Sequence, residues 1–110
     1  MNEILEEALL YDFYGELLTS HQKDVYEQFV LEDLSLSEIA AEEGISRQGV
    51  HDLVKRCQKI LAGYEDKLHL VEKFLAIKEN VHQIEKALDN YEGNNADEIR
   101  SITQKIIEEL

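Results

Sequence analysis

The strongest constraint on this fold is the spacing of apolar residues, which recur at steps of three and four along almost the whole chain. The pattern is longest in the second half, at Leu70, Phe74, Ile77, Val81, Ile84, Leu88 and Tyr91. Such steps place side chains on one face of an α-helix, so this stretch predicts a helix of roughly 25 residues. Proline, which would interrupt such helices, is absent from the chain. The predicted fold class is therefore all-α.

Two helices are predicted before this stretch. The first is expected to bury an apolar face made by Ile4, Leu5, Ala8, Leu9, Phe13 and Leu17. The second begins where Thr19 or Ser20 can cap it, and its expected inner residues are Val25, Phe29 and Val30. On the surface of the second helix, Lys23 and Glu27 are spaced for an ion pair.

A last short helix is predicted after Gly93-Asn94-Asn95. Asn95 and Glu98 have the spacing of a capping box, which marks a helix start. The apolar residues that follow are Ile99, Ile102, Ile106 and Leu110. We expect this helix to fold back on the long one as an antiparallel hairpin, for a total of five or six helices.

The middle of the chain has the pattern of a helix-turn-helix. Ser35 and Glu38 form a capping box, and Gly44 suits the left-handed conformation that ends a helix. Ile45 is then expected to be a buried plug, and Ser46 caps the next helix. The inner side of that second helix is predicted to carry Val50, Leu53 or Val54, Cys57, Ile60 and Leu61. A short helix, a tight turn with glycine and a capped second helix define the motif.

Charge is distributed unevenly along the chain. The whole chain has 24 acidic and 11 basic residues and a net charge of −13, so as a body it is repelled by phosphates. Residues 46–63, however, carry Arg47, Lys55, Arg56 and Lys59 against Asp52 alone, a net charge of +3. This basic island is a candidate contact surface for a polyanion, and the alternative is that its cations pair with the acidic first half of the chain or are simply solvated.

No pattern of an active site or a metal site is found in the sequence. The four histidines are too far apart to bind a metal from one helix turn, and no glycine-rich phosphate loop is present. Cys57 falls on the apolar side of its helix and is expected to be an inert core residue. We therefore expect no catalytic residue, no metal and no cofactor, and a protein that is not an enzyme.

The expected location is cytoplasmic, with no membrane partner. The first residues are acidic where a signal peptide would be basic, and no apolar run approaches the length of a membrane span. A single cysteine also fits a reducing compartment.

The segment from Leu18 to Leu61 resembles region 4 of the bacterial RNA polymerase sigma factors. The resemblance is carried by Leu18-Thr-Ser-His-Gln22, by Ser35 with Glu38-Ile39-Ala40, and by Gly44-Ile45-Ser46-Arg47 with Val50. It implies that the second helix of the motif enters the major groove of DNA. The implied groove-facing residues are Arg47, Gln48, His51 and Asp52, with Lys55 and Arg56 nearer the backbone. Asp52 departs from the sigma pattern, which generally has a neutral or basic residue at this position. A carboxylate facing phosphate would oppose binding.

The whole chain resembles the small YlxM-type helix-turn-helix proteins of Gram-positive bacteria, most closely in the stretch Ser46-Arg-Gln-Gly-Val-His-Asp52. That family is linked to the signal recognition particle pathway, mainly because its gene lies beside that of the Ffh GTPase. The resemblance implies a regulatory role. Two alternatives follow: a sequence-specific DNA-binding transcriptional regulator, or an interaction module that docks on Ffh or on the signal recognition particle RNA without binding DNA.

The predicted organisation is a single all-helical domain, residues 1–110. Within it, residues 18–62 form the helix-turn-helix core and residues 64–110 a helical extension. The apolar stripe of the extension has two interpretations, packing within the chain or a homodimer through the C-terminal helices.

Overall fold

Six α-helices make up most of the chain in a computed structural model, which describes residues 3–110, with side chains from Leu5 onward. The helices are α1 (Glu3–Tyr14), α2 (Ser20–Val30), α3 (Leu36–Glu43), α4 (Arg47–Leu68), α5 (Leu70–Leu88) and α6 (Ala96–Glu108). A 3-10 segment, Gly15–Leu17, follows α1. Residues 3–110 contain no strand, and the all-α prediction is confirmed. The predicted role of Ile4 in the core lies outside the described side chains.

The chain forms two compact units, one ending at Val71 and the other running from Glu72 to Leu110. Helix α4 continues through Gly63 without a break, so the predicted start of the extension at residue 64 falls inside a helix. That the two units fold as a single domain stays a prediction.

The predicted caps of α2, α3 and α4 are confirmed. The Thr19 hydroxyl accepts a bond from the Gln22 amide at 3.2 Å, and Ser35 accepts one from Glu38 at 3.1 Å. Both pairs are reciprocal capping boxes. Hydrogen bonds from Ser35, first from its backbone amide, hold the pKa of the Glu38 carboxyl below its usual value. Ser46 caps α4 by accepting from the Gly49 amide at 2.9 Å.

The capping box predicted at Asn95 is wrong. Asn95 precedes α6, but its side chain makes no capping bond and instead accepts the Tyr91 hydroxyl at 2.8 Å. Tyr91 lies outside α5, because that helix ends at Leu88. The chain then turns, and the Tyr91 amide donates a hydrogen bond to the Leu88 carbonyl at 3.1 Å. The helix is therefore 19 residues long, shorter than predicted.

The core of the first unit is built around the inner side of α4. As predicted, this side carries buried Val50, Val54, Cys57 and Leu61. Burial also raises the pKa of the Cys57 thiol, as expected of an unreactive core cysteine. On α2, Val25 is buried as predicted, but Tyr26 is fully buried where Phe29 and Val30 are only half-buried.

The inner face of α1 is not the predicted one. Leu5 and Leu17 are 52% and 55% exposed, whereas Tyr11 and Tyr14 are buried. A tyrosine can be buried in this way when its hydroxyl finds a partner. The Tyr11 hydroxyl donates to Glu27.

The ion pair predicted between Lys23 and Glu27 is also wrong, because Lys23 pairs with Glu16.

The junction between α4 and α5 is stabilised by polar groups from α1 and α4. The Tyr14 hydroxyl donates to Glu65 at 2.6 Å and accepts the Leu70 amide at 3.1 Å. Glu65 also accepts the Val71 amide at 2.9 Å, so the first amides of α5 are satisfied. His69 ends α4 in the left-handed conformation, with φ 56°.

Substitutions at two glycines of the first unit are expected to change the free energy of unfolding in opposite directions. Gly44 has φ 70° and Gly63 is helical, and neither has an atom within 4 Å of an added Cβ. Gly44→Ala should lower the free energy of unfolding by about 1–2 kcal/mol, because only backbone strain is added. Gly63→Ala should raise it by about 1 kcal/mol through helix propensity. Urea unfolding measures both, and equal effects of the two substitutions would contradict the turn conformation described.

Candidate nucleic-acid interface

The turn between α3 and α4 fixes the direction in which α4 leaves the core. The amides of Gly44 and Ile45 both donate to the Ala40 carbonyl, at 3.0 and 3.2 Å. This pair of bonds ends α3 and leaves three residues before α4 begins at Arg47. Ile39 and Ala40 of α3 and Val50 of α4 are buried, and α3 packs against α4, so the two helices form the predicted helix-turn-helix.

The six residues predicted to contact a nucleic acid lie together on the first ten residues of α4. They form two adjacent rows with four-residue spacing. One row contains Arg47, His51 and Lys55, and the other contains Gln48, Asp52 and Arg56. His51 is half-buried and the other five are exposed. The buried residues Val50, Val54 and Cys57 occupy the opposite side of the helix.

Asp52 is the centre of a small polar network on this surface. Its carboxylate accepts the Gln48 side-chain amide at 2.9 Å, and its Oδ1 lies 3.5 Å from His51 Nδ1. His51 Nδ1 is itself buried and makes no hydrogen bond with the described residues. The carboxylate that departs from the sigma pattern therefore positions the neighbouring Gln48 side chain.

The cations of the surface are not neutralised within the described part of the chain. Among those residues, no carboxylate oxygen lies within 4.0 Å of Arg47, Lys55 or Arg56. Lys23 and Arg100, by contrast, pair with Glu16 and Asp89. The three cations are thus available to an external anion, and the alternative of internal pairing does not hold for these residues.

A cavity of about 370 Å³ extends the surface to the start of α2. It is lined by Thr19, His21, Gln22, Gly49, Asp52, Leu53 and Arg56. The capped N-terminus of α2 therefore opens beside α4, and a helix N-terminus favours anions. Sequence reasoning found the Thr19 cap but not its position beside Arg56, because that proximity arises from the packing of α2 on α4.

The prediction that Ile45 is buried is wrong, and its side chain adds to this surface. It was expected to be a buried plug, but it is 39% exposed. Its Cδ1 lies 3.9 Å from the place that a Cβ on Gly49 would occupy. A side chain at position 49 would contact Ile45, and glycine leaves that contact unmade. An apolar side chain therefore lies beside Arg47 and Gln48.

Comparison with known proteins places the chain in a family. A family model described as "UPF0122: Putative helix-turn-helix protein, YlxM / p13 like" matches residues 1–104. The chain belongs to this family. A UPF0122 protein of Clostridium kluyveri is 40% identical over 111 residues, with 100% of both chains covered. One from Desulforamulus reducens is 41% identical, covering 98% of this chain and 96% of the relative. One from Acetivibrio thermocellus is 46% identical over 78% of this chain and 74% of the relative.

The description of the UPF0122 family is that of a helix-turn-helix protein. Within the described residues, no helix combines the length and the apolar character that a membrane span needs.

The electrostatics of this surface can be tested by neutralising its one carboxylate. Asp52→Asn keeps an acceptor for Gln48 but removes a negative charge from among three cations, so retention on phosphocellulose should increase. Asp12→Asn is the matched control, because Asp12 is exposed on α1 and its substitution changes the net charge equally. Equal retention of the two variants would show that the basic island does not act as a local surface.

Proposed function

We propose that this protein is a cytoplasmic regulatory protein that binds nucleic acid through the first turns of α4. The observation that carries the proposal is the availability of Arg47, Lys55 and Arg56 on the outer side of a capped helix in a helix-turn-helix. In this motif the start of the second helix is the part that enters the major groove.

Each side chain has a role that fits its chemistry. Arg47 can make two hydrogen bonds to guanine, and Gln48 can do the same to adenine once it leaves Asp52. Exposed Ile45 is suited to contact a thymine methyl group. Lys55 and Arg56 lie further along α4, where a docked helix approaches the phosphates. His51 lies between the two base-reading positions and Lys55.

A monomer with this surface would bind weakly, because few cations oppose a net charge of −13. Helices α5 and α6 offer a way to double the contacts. Ile77 and Ile84 on α5 are 36% and 41% exposed, and Ile102 and Ile106 on α6 are 51% and 38% exposed. Helices of a soluble monomer seldom leave two such stripes uncovered.

The two stripes lie on one face of the C-terminal unit. A cavity of about 390 Å³ between α5 and α6 is lined by His82, Glu85, Lys86, Asp89, Arg100 and Gln104. On α5, the cavity residue His82 lies to one side of buried Val81, and Ile77 and Ile84 lie to the other. On α6, the cavity residue Gln104 lies to one side of buried Thr103, and Ile102 and Ile106 lie to the other. The isoleucines therefore share the face opposite the cavity.

We propose that a second copy of the chain covers this face and completes a four-helix bundle. Exposed Asn80 and Ala87 adjoin Ile77 and Ile84 at three- and four-residue spacing, and the charged residue at this spacing is a cation, Lys73. A self-complementary apolar face without a carboxylate at these positions of α5 favours the association of two acidic chains. A two-fold dimer would then present two copies of α4 to a two-fold site.

The place of this activity in the cell is proposed from the family resemblance. Membership of the YlxM-like family supports a role in the signal recognition particle pathway, with DNA, the particle RNA and Ffh as the candidate partners. A module that docks on Ffh or its RNA would use the same exposed helix without reading bases.

Substitutions on α4 test base reading directly. Arg47→Ala should relax base preference by about 1–3 kcal/mol at one position of a duplex. Lys55→Ala should weaken binding equally for all sequences and lower the salt slope by about one. Site selection followed by fluorescence anisotropy over a salt series measures both effects.

The same salt series, run with duplex DNA, the signal recognition particle RNA and Ffh side by side, separates the candidate partners. Retention of duplex at low salt that neither substitution changes would refute DNA binding by α4. Retention of only Ffh or the RNA would favour the interaction module.

If the protein is a dimer, a charge introduced into the proposed interface should halve its mass in solution. Ile84→Glu brings like charges together at the centre of the bundle, so analytical ultracentrifugation should find a dimer for the unsubstituted protein and a monomer for the variant. Leu31→Glu is the control, because Leu31 is 55% exposed at the end of α2, in the other unit. A monomeric unsubstituted protein would exclude the dimer.

A further inference from the structure

The second half of α4 carries a groove that the helix-turn-helix does not use. Its volume is about 440 Å³, and it is lined by Arg56, Lys59, Ile60, Gly63, Tyr64 and Lys67. Arg56 borders both this groove and the cavity at the start of α2. The remaining five residues lie beyond the positions that face the major groove in a docked helix-turn-helix.

The floor of this groove is apolar and open. Ile60 and Tyr64 are half-buried, and no atom lies within 4 Å of the position that a Cβ on Gly63 would occupy. The Tyr64 ring stacks on that of buried Tyr14, with ring centroids 6.0 Å apart and an angle of 25° between the rings. Tyr64 is therefore fixed before any ligand arrives. A flat apolar group could approach the α4 backbone closely at Gly63.

The rim of the groove is basic. Arg56, Lys59 and Lys67 are exposed, and no carboxylate oxygen of the described residues lies within 4.0 Å of their charged groups. Along the helix axis, Lys59 is about 4.5 Å from Arg56 and about 12 Å from Lys67. The cations thus flank the apolar floor on both sides along α4. In a chain with 24 acidic residues, a rim with three unpaired cations selects for an anion.

We propose that this groove binds an unpaired nucleotide of a single-stranded nucleic acid. The base lies on Ile60 and Tyr64 above Gly63, and the flanking phosphates contact Arg56, Lys59 and Lys67. A single strand fits better than a duplex, because a duplex keeps its bases stacked inside and would leave the apolar floor uncovered. Apolar or aromatic platforms beside cations are the usual means of binding single strands without sequence preference.

This proposal does not depend on duplex reading by the first turns of α4. The two can fail separately, because the groove variants below lie outside the six residues proposed for the duplex contact.

Gly63→Leu is the sharpest test, because it fills the groove without disturbing the core. Leucine has the higher helix propensity and meets open space at this position, so the melting temperature should not fall. The affinity for a short fluorescein-labelled oligouridylate, measured by anisotropy, should fall by about tenfold. The affinity for a random duplex should stay the same. An oligodeoxythymidylate measured alongside shows whether the sugar matters.

Removing the rim cations tests the electrostatic part. Lys59→Gln with Lys67→Gln should lower the salt slope for oligouridylate by about 0.7 for each cation removed. The control is Lys73→Gln with Lys105→Gln, which removes two exposed cations from outside the groove.

Three results would overturn the proposal. The first is no binding of oligouridylate by the unsubstituted protein, and the second is unchanged binding by Gly63→Leu. The third is displacement of the oligonucleotide by polyglutamate as effectively as by unlabelled oligouridylate, which would mean that the groove recognises charge alone. Binding of oligouridylate without any binding of duplex would support the groove and refute the duplex contact.

Discussion

The arrangement of the first unit depends on the buried hydroxyl of Tyr14. This single group joins three helices, because it donates to Glu65 of α4 and accepts the first amide of α5 while it is held in α1. Burial, and then the bond to Glu65, raise the pKa of Tyr14, so the hydroxyl keeps its proton at physiological pH. With its far end fixed here and its near end capped by Ser46, α4 has one orientation in which Val50, Cys57 and Leu61 are buried. The exposed side of α4 is determined by that orientation.

The same helix therefore forms the centre of the core and carries the surface proposed to bind nucleic acid. Its buried side carries small and branched apolar residues that pack against α1, α2 and α3. Its outer side carries Arg47, Lys55 and Arg56, which no carboxylate of the described residues neutralises. Asp52 moderates this surface, because it orients Gln48 and at the same time reduces the attraction for phosphate. Such a balance suits a regulatory contact that forms only when several weak interactions act together.

Features that depend on a few neighbouring residues could be predicted from the sequence. The caps at Thr19, Ser35 and Ser46 and the glycine turn at Gly44 are examples, since each is complete within four residues. The inner face of α1 could not be predicted, because the burial of Tyr11 and Tyr14 requires acceptors that distant helices supply. Ile45 was misjudged because its exposure depends on the bare backbone of Gly49. The sequence pattern predicts the six residues of the α4 surface but not the groove at Gly63, because the helical extension was expected to begin at the next residue.

The continuity of α4 through Gly63 gives the protein a fixed molecular length. Because α4 is unbroken between them, Gln48 and Gly63 are about 22 Å apart along the helix axis, and this distance is fixed. A ligand that occupied both places would have to match it, with a paired segment and a looped-out residue about six to seven base-pair steps apart. The protein would then select its target by the architecture of a stem beside a loop, a criterion that is independent of the order of the bases.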